Sequence, residues 1–157
     1  MKISAKGRYA LRLMLDLATR GEGEYTSLKD VSKRQDVSMK YLEQIVAQLC
    51  RAGYLRSLRG PQGGYRLTRR LEDYSVGDIL RVTEGDLSPT ACLQDEYNAC
   101  PNASACPTLP FWQGLYDVVN DYVNHTTLAD FVQGNAQIPA PMPAPETPET
   151  PVKFACR

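Results

Sequence analysis

SMKYLEQIVAQLCRAGYLRSLRGPQGGYRL, residues 38–67, carries a helix, its stop signal and a hairpin in one unbroken run. Ser38 is a strong N-cap residue, because its hydroxyl can accept one of the free N–H groups at a helix start. Leu42, Ile45, Val46 and Leu49 follow at i, i+3, i+4 and i+7, the apolar stripe of a half-buried helix. Gly53 stands where a left-handed residue usually closes such a helix. Tyr54 to Arg59 and Tyr65 to Arg69 are strand-compatible, and Gly60-Pro61-Gln62-Gly63-Gly64 between them supplies a turn.

Just before this run, Ser27-Leu28-Lys29-Asp30 fits a capping box for a short preceding helix, and Asp36-Val37 leads straight into Ser38. Two helices joined by three or four residues make a helix-turn-helix over about 28–51, with a wing over about 54–69. Upstream, a helix from near Ser4 to about Thr19 is apolar around most of its girth, so it should be well buried, and Gly21 and Gly23 end it. Downstream, Ser75 to Asp78 opens a helix through Val82 that stops at Gly85. A cysteine-bearing loop covers 86–110. A long helix then runs from about Phe111 to Asn124, and a short one from Thr127 to about Val132. Phe111, Trp112, Leu115, Tyr116, Val118, Val119, Tyr122 and Val123 form a stripe too wide for a lone surface helix, so a partner is expected to cover it.

These readings give a mainly α fold: a winged helix-turn-helix with a small β-hairpin wing, plus a long C-terminal dimerisation helix. The expected division is 1–72 for the winged domain, 73–133 for the linker helix, cysteine loop and dimerisation helix, and 134–157 for a disordered tail. That tail holds six of the chain's eleven prolines and almost no periodicity.

The net charge of zero hides a segregation of signs. Residues 1–70 hold 15 Lys/Arg against 6 Asp/Glu, and residues 71–157 hold 3 against 12. A basic half joined to an acidic half points to a polyanionic partner for the first. No apolar run approaches the roughly 20 residues that span a bilayer. Arg8, Arg12 and Asp16 interrupt the N-terminal apolar stretch and no small-residue cleavage site follows it, so a signal peptide is not expected. A cytoplasmic protein with no membrane association is expected. No phosphate loop or dinucleotide fingerprint appears, and the single histidine lies near no cysteine that it could activate, so an enzyme is not expected.

On the second helix of the helix-turn-helix, Ser38, Lys40, Tyr41, Glu43, Gln44 and Arg51 are candidate DNA contacts. Gln44 can pair bidentately with adenine and Glu43 can accept from cytosine N4. Ser38, Lys40 and Tyr41 suit phosphate contacts, which position without specifying. The hairpin gathers Arg56, Arg59, Arg66, Arg69 and Arg70. Arg59, just before the tip residues Pro61 and Gly63, can enter a narrow minor groove. Double-stranded DNA is therefore the expected partner. The competing reading is a winged helix that docks a regulatory protein; steep salt dependence of duplex binding separates the two.

The segments KGRYALRLMLDLA, the quoted 38–67 run and VGDILRVTEG resemble the Rrf2 family of bacterial winged-helix regulators, of the iron–sulfur cluster regulator type, from Met1 to about Val132. The resemblance implies a homodimeric repressor or activator, paired through the long helix and bound to a pseudo-palindromic operator. It also implies that Glu43 and Gln44 face bases and that Arg59 serves the wing.

Cluster-binding members hold their cluster with three cysteines just before the long helix, the place taken here by Cys92, Cys100 and Cys106. By that resemblance an iron–sulfur cluster (2Fe-2S or 4Fe-4S) is expected. Two features depart from the pattern. The first gap is about two residues longer, a change that costs a loop little, and Leu109 replaces a histidine that some members use as fourth ligand. Asp95, Glu96, a partner-subunit residue, Cys156 or a small molecule would have to supply it. Thiol-based redox sensing, zinc, control by a protein partner, or a plain loop with incidental cysteines are the alternatives for the loop. Cys50, beside the apolar stripe, reads as a small core residue.

Overall fold

The structure is a computed structural model that describes residues 2–21, 23–94, 98 and 100–136. The expected tail beyond Ala136 lies outside them. Among the described residues the α-helices and strands are α1 (Ala5–Ala18), α2 (Leu28–Gln35), α3 (Met39–Arg51), β1 (Leu55–Leu58), β2 (Gly64–Leu67), α4 (Val76–Glu84), α5 (Leu109–His125) and α6 (Leu128–Val132). They form a winged helix-turn-helix extended by a linker helix and a long helix.

The sequence signals at helix ends act as expected. Ser4, Ser27, Ser38 and Ser75 each cap a helix by accepting a backbone N–H, from Lys6, Asp30, Tyr41 and Asp78 respectively. Thr127 and Asp130 complete a reciprocal capping box at α6. Beyond α3, Gly53 adopts φ 75°. Its N–H reaches Cys50 O at 3.0 Å while that of Tyr54 reaches Leu49 O at 2.9 Å, a Schellman motif that turns the chain directly into the wing. Asp36, left-handed at φ 52°, makes the tight turn between α2 and α3.

One core unites the helices. Ala10, Leu13, Met14 and Leu17 of α1 meet Leu28 and Val31 of α2, Leu42, Ile45 and Leu49 of α3, Leu55 of β1, Tyr74, and Ile79 of α4. Leu128 of α6 is also fully buried there. Val76 N–H donates to Thr126 O at 2.8 Å and Leu128 N–H to Tyr74 O at 3.0 Å, so the start of α6 is tied to the start of α4. Packing is thus continuous across residues 72 and 73.

The long helix is the exception. It starts at Leu109, two residues before the expected Phe111, because Pro110 in its first turn has no N–H to leave unsatisfied. Its apolar residues divide into two seams of 4-3-4 spacing. Trp112, Tyr116, Val119 and Val123 are half-buried, and Val123 packs on a second cluster of Val76, Leu80 and Leu87. Phe111, Leu115, Val118 and Tyr122 form the other seam and face outward, exposed by 65%, 37%, 46% and 44%. The second seam is why the stripe looks too wide for one side of a helix. Among the described residues no helix is long and apolar enough to cross a membrane.

Candidate nucleic-acid interface and cysteine loop

The orientation of α3 is set by α2, and α2 is held on α1 by one buried carboxylate. Asp16, 8% exposed, accepts from Arg34 Nε at 3.0 Å, Arg34 Nη2 at 2.5 Å and Gln35 Nε2 at 2.9 Å. Burial alone would raise the Asp16 pKa, but these hydrogen bonds and the Arg34 charge hold it below its ordinary value. Arg12 adds hydrogen bonds to Gln35 Oε1 and to the Gln35 carbonyl.

On this support α3 presents Lys40, Glu43, Gln44 and Arg51, all exposed. None has an ion pair or a side-chain hydrogen bond among the described residues. Ser38 is exposed too, though its hydroxyl is engaged as the cap of α3 at 3.3 Å from Tyr41 N. The Tyr41 ring is committed to packing, half-buried and edge-on to Tyr9 at 5.8 Å.

In the wing, β1 and β2 pair antiparallel, with Leu55 opposite Leu67 and Arg56 opposite Arg66. Tyr65 bridges on its other side to Thr26, at 3.0 and 2.9 Å. The paired glycines have an internal task. A Cβ on Gly63 would collide with Leu58 O and one on Gly64 with Thr26 O, so both are required where backbones crowd. The tip residues Arg59 and Pro61 are exposed. Three of the five wing arginines have partners inside the chain. Arg66 lies over Tyr25 at 5.1 Å, Arg69 over Tyr54 at 4.7 Å, and Arg70 pairs with Glu72 at 3.4 Å. Arg56 and Arg59 have none among the described residues.

Besides Asp16, sequence reasoning missed two anchoring groups. Tyr74, fully buried, accepts from the N–H groups of Thr68 and Arg69 at 2.8 and 2.9 Å and donates to Tyr54 O at 2.9 Å. Its phenol therefore staples both ends of the wing. Glu84, the last residue of α4, accepts through Oε1 from Ser4 Oγ and Gly7 N–H, each at 2.7 Å, at the start of α1. A lone tyrosine between a hairpin and a capping serine carries no periodic signal. An acid at a helix end points to no particular partner.

The cysteine loop leaves α4 at Gly85. Asp86 accepts from Ser88 N–H at 2.8 Å and from the Ser88 hydroxyl, and Tyr116 of α5 donates to it at 3.3 Å. Cys92 sits in a short 3-10 turn (Ala91–Leu93) and Cys106 just after another (Ala103–Ala105). With Cys100 they are free thiols, Cys100 exposed and the others half-buried. A hydrogen bond with the Thr108 hydroxyl lowers the Cys106 pKa. Cys50 is half-buried against the core, and burial pushes its thiol pKa up.

Three soft donors in one loop match the chemistry of a cluster or of zinc. The described side chains do not yet gather to one point: no three of His, Cys, Asp or Glu stand close enough together to hold a metal ion. His125 ends α5, sixteen residues or about 24 Å beyond Leu109, out of reach of its own subunit's loop. Asp95, Glu96 and Cys156 lie outside the described residues.

Residues 3–134 match the sequence profile of Rrf2, described as an iron-dependent transcriptional regulator. The chain is 35% identical over 139 residues to protein rrf2 of Nitratidesulfovibrio vulgaris, covering 88% of this chain and 92% of that one. Its fold is similar to CymR (YrzC), the global cysteine regulator of B. subtilis, with TM-score 0.71 and 37% identity over 85% of this chain and 98% of the other. T. potens IscR superposes with TM-score 0.67 and 34% identity, covering 90% and 94%.

Proposed function

From its membership of the Rrf2 family of transcriptional regulators, which makes this chain a DNA-binding regulator and not an enzyme, we propose a homodimer that reads a pseudo-palindromic operator and senses iron–sulfur or redox state through Cys92, Cys100 and Cys106. The observation that carries the DNA-reading part is the unpaired polar face of α3 beside a wing tip whose Arg59 has no partner among the described residues. Glu43 and Gln44 contact base edges. Lys40, Arg51 and the α3 N-terminus capped by Ser38 meet phosphates, and Arg59 enters the minor groove. Tyr41, Pro61 and Gly63 shape this surface.

Dimerisation is supported by the outward seam of α5. Phe111, Leu115, Val118 and Tyr122 repeat at 4-3-4, the spacing of a helix that pairs with another helix. A second copy presents the same seam, so the pairing is self-complementary about a two-fold axis. The two α3 helices then meet successive major grooves about one DNA turn apart.

For the loop, Cys92, Cys100 and Cys106 would hold the cluster, and a bound cluster supplies a redox-sensitive, iron-dependent charge at that point. The chain's own residues tie the loop's state to the fold, through Asp86 with Tyr116 and through Glu84 with Ser4 and Gly7. A second reading, thiol oxidation without metal, is favoured by the lowered Cys106 pKa. Visible absorption and iron analysis of protein purified without oxygen, followed by operator binding before and after chelation, decide between them. Colourless, iron-free protein whose DNA affinity ignores chelation but responds to peroxide gives the second reading. Indifference to both removes sensing by the loop.

A further inference from the structure

The arginines at the middle of the wing are arranged against their own electrostatics. Arg56 and Arg66 stand directly opposite each other across β1 and β2, on the face turned away from the buried Leu55. Like charges in such cross-strand positions repel, and neither arginine has a carboxylate partner among the described residues. Arg66 is held in place: its guanidinium lies over the Tyr25 ring, yet its Nε is buried and has no acceptor. A buried guanidinium N–H without an acceptor is costly to a native fold. Beside these groups is a recess of about 150 Å³ lined by Arg56, Arg66, Leu67 and Thr68. Thr68 Oγ1 is already spent on the Gly53 and Tyr54 carbonyls, so the two arginines are the free donors there.

We propose that Arg56 and Arg66 together clasp one phosphate group, a phosphodiester of the operator backbone that flanks the groove entered by the wing tip. A phosphate placed between them cancels the repulsion and supplies acceptors to the forked guanidinium donors. The duplex is the favoured source because Arg56 is only three residues from Arg59 on the same strand exit. A backbone bordering the groove must pass the flank of the hairpin. This clasp adds to the base-reading surface a contact that positions the wing without reading sequence. It rests on the hairpin being a DNA-contacting wing.

The test measures duplex affinity as a function of salt for the full chain and for Arg56→Ala, Arg66→Ala and the double variant, with Arg59→Ala as a separate control. If both arginines hold one phosphate, each single variant loses about one unit from the slope of log affinity against log salt, and the double variant loses no more. Affinity should fall about equally on specific and unrelated duplexes. Arg56→Lys, which keeps charge without the fork, should restore most of the slope but not all of the affinity. Thermal melting confirms that Arg56→Ala, at an exposed position, folds normally.

Unchanged slopes in all three, with a reduced slope in Arg59→Ala, overturn the clasp and leave the wing reading intact. Unchanged slopes in Arg59→Ala as well overturn both. Inorganic phosphate forms the second arm, titrated in NMR while the Tyr25 and Arg66 signals are followed. Saturable shifts absent from the double variant, combined with unchanged duplex slopes, assign the recess to a free anion and overturn the duplex assignment.

Discussion

Removing one oxygen atom, by Tyr74→Phe, should loosen the wing while leaving the core filled. The ring is fully buried and edge-on to Tyr54 at 5.6 Å, and phenylalanine preserves both features. What is lost is a saturated hydroxyl: one proton donated to Tyr54 O and two lone pairs taken by the N–H groups of Thr68 and Arg69. The Tyr54 carbonyl retains Thr68 Oγ1 at 3.2 Å, so the uncompensated groups are two backbone donors. Each unsatisfied donor costs about 1–3 kcal/mol when buried. Thr68 and Arg69 are exposed residues that water can partly reach, which selects the low end, about 2 kcal/mol in all. For a folded body of this size that lowers Tm by roughly 6–10 °C. Urea unfolding should show a shifted midpoint and an unchanged slope. Amide exchange should accelerate at Thr68 and Arg69 and not in α1.

Because the wing must then be ordered during binding, operator affinity should fall as well. That fall should shrink in an Arg59→Ala background, where the wing tip no longer contributes. A stability change below about 0.5 kcal/mol, or an affinity loss of the same size with and without Arg59→Ala, refutes the staple.

Val118→Asp places a charge in the outward seam of α5 and should convert the protein to a folded monomer in sedimentation, with operator affinity down more than tenfold; a persistent dimer would sink the proposed interface. Asp16→Asn should cost about 2 kcal/mol at neutral pH, discounted for the part-exposed Arg34. The folded pKa of Asp16 is lowered, so the wild-type advantage is fully present above the unfolded value near 4. It is lost as pH falls from there through the folded pKa, which acid titrations of both proteins will show. Gly77→Ala drives a Cβ into Asn124 Oδ1 and Arg81 Nη1 and against Val123, so it should disrupt the Arg81–Asn124 hydrogen bond; with about 1 kcal/mol of helix propensity gained in return, the denaturant midpoint should fall by no more than about 1 kcal/mol. A gain of the full propensity would mean that α5 does not crowd α4 at this point.

The elements were legible where one local rule decides. Ser38, Gly53 and the stripe from Leu42 to Leu49 fix α3 without reference to anything distant, and the two glycines before Tyr65 fix the wing turn. The long helix was legible in its period but not in its two-sidedness. Periodicity says that Trp112 and Phe111 are apolar neighbours, and only packing shows that one turns toward the body and the other away. Charge was the least legible quantity. Five arginines in the hairpin read alike, yet Arg66, Arg69 and Arg70 are engaged with Tyr25, Tyr54 and Glu72 while Arg56 and Arg59 are not. The anchors Tyr74, Glu84 and Asp16 were invisible because each joins residues far apart in sequence, and a solitary polar group has no period.

Glu84 is one of several long-range contacts that converge on α4. Its last residue, Glu84, caps the start of α1. One turn earlier, Arg81 donates to Asn124 and Asn120 of α5, each at 2.8 Å. Immediately after it, Asp86 holds Tyr116. The cysteine loop is therefore closed at both ends on the same joint, leaving α4 on one side and entering α5 on the other. In the proposed dimer α5 is fixed to its two-fold mate, so its joint with α4, together with its continuation into the core-bound α6, would set where each α3 stands. A change in loop length or order acts on that joint before it reaches any other part of the fold. The α3 face proposed to read bases would keep its internal geometry, and in the proposed dimer only the distance between the two such faces would change. A rigid operator tolerates little error in half-site spacing, so a small tilt at this joint is enough to change affinity while each reading head stays intact.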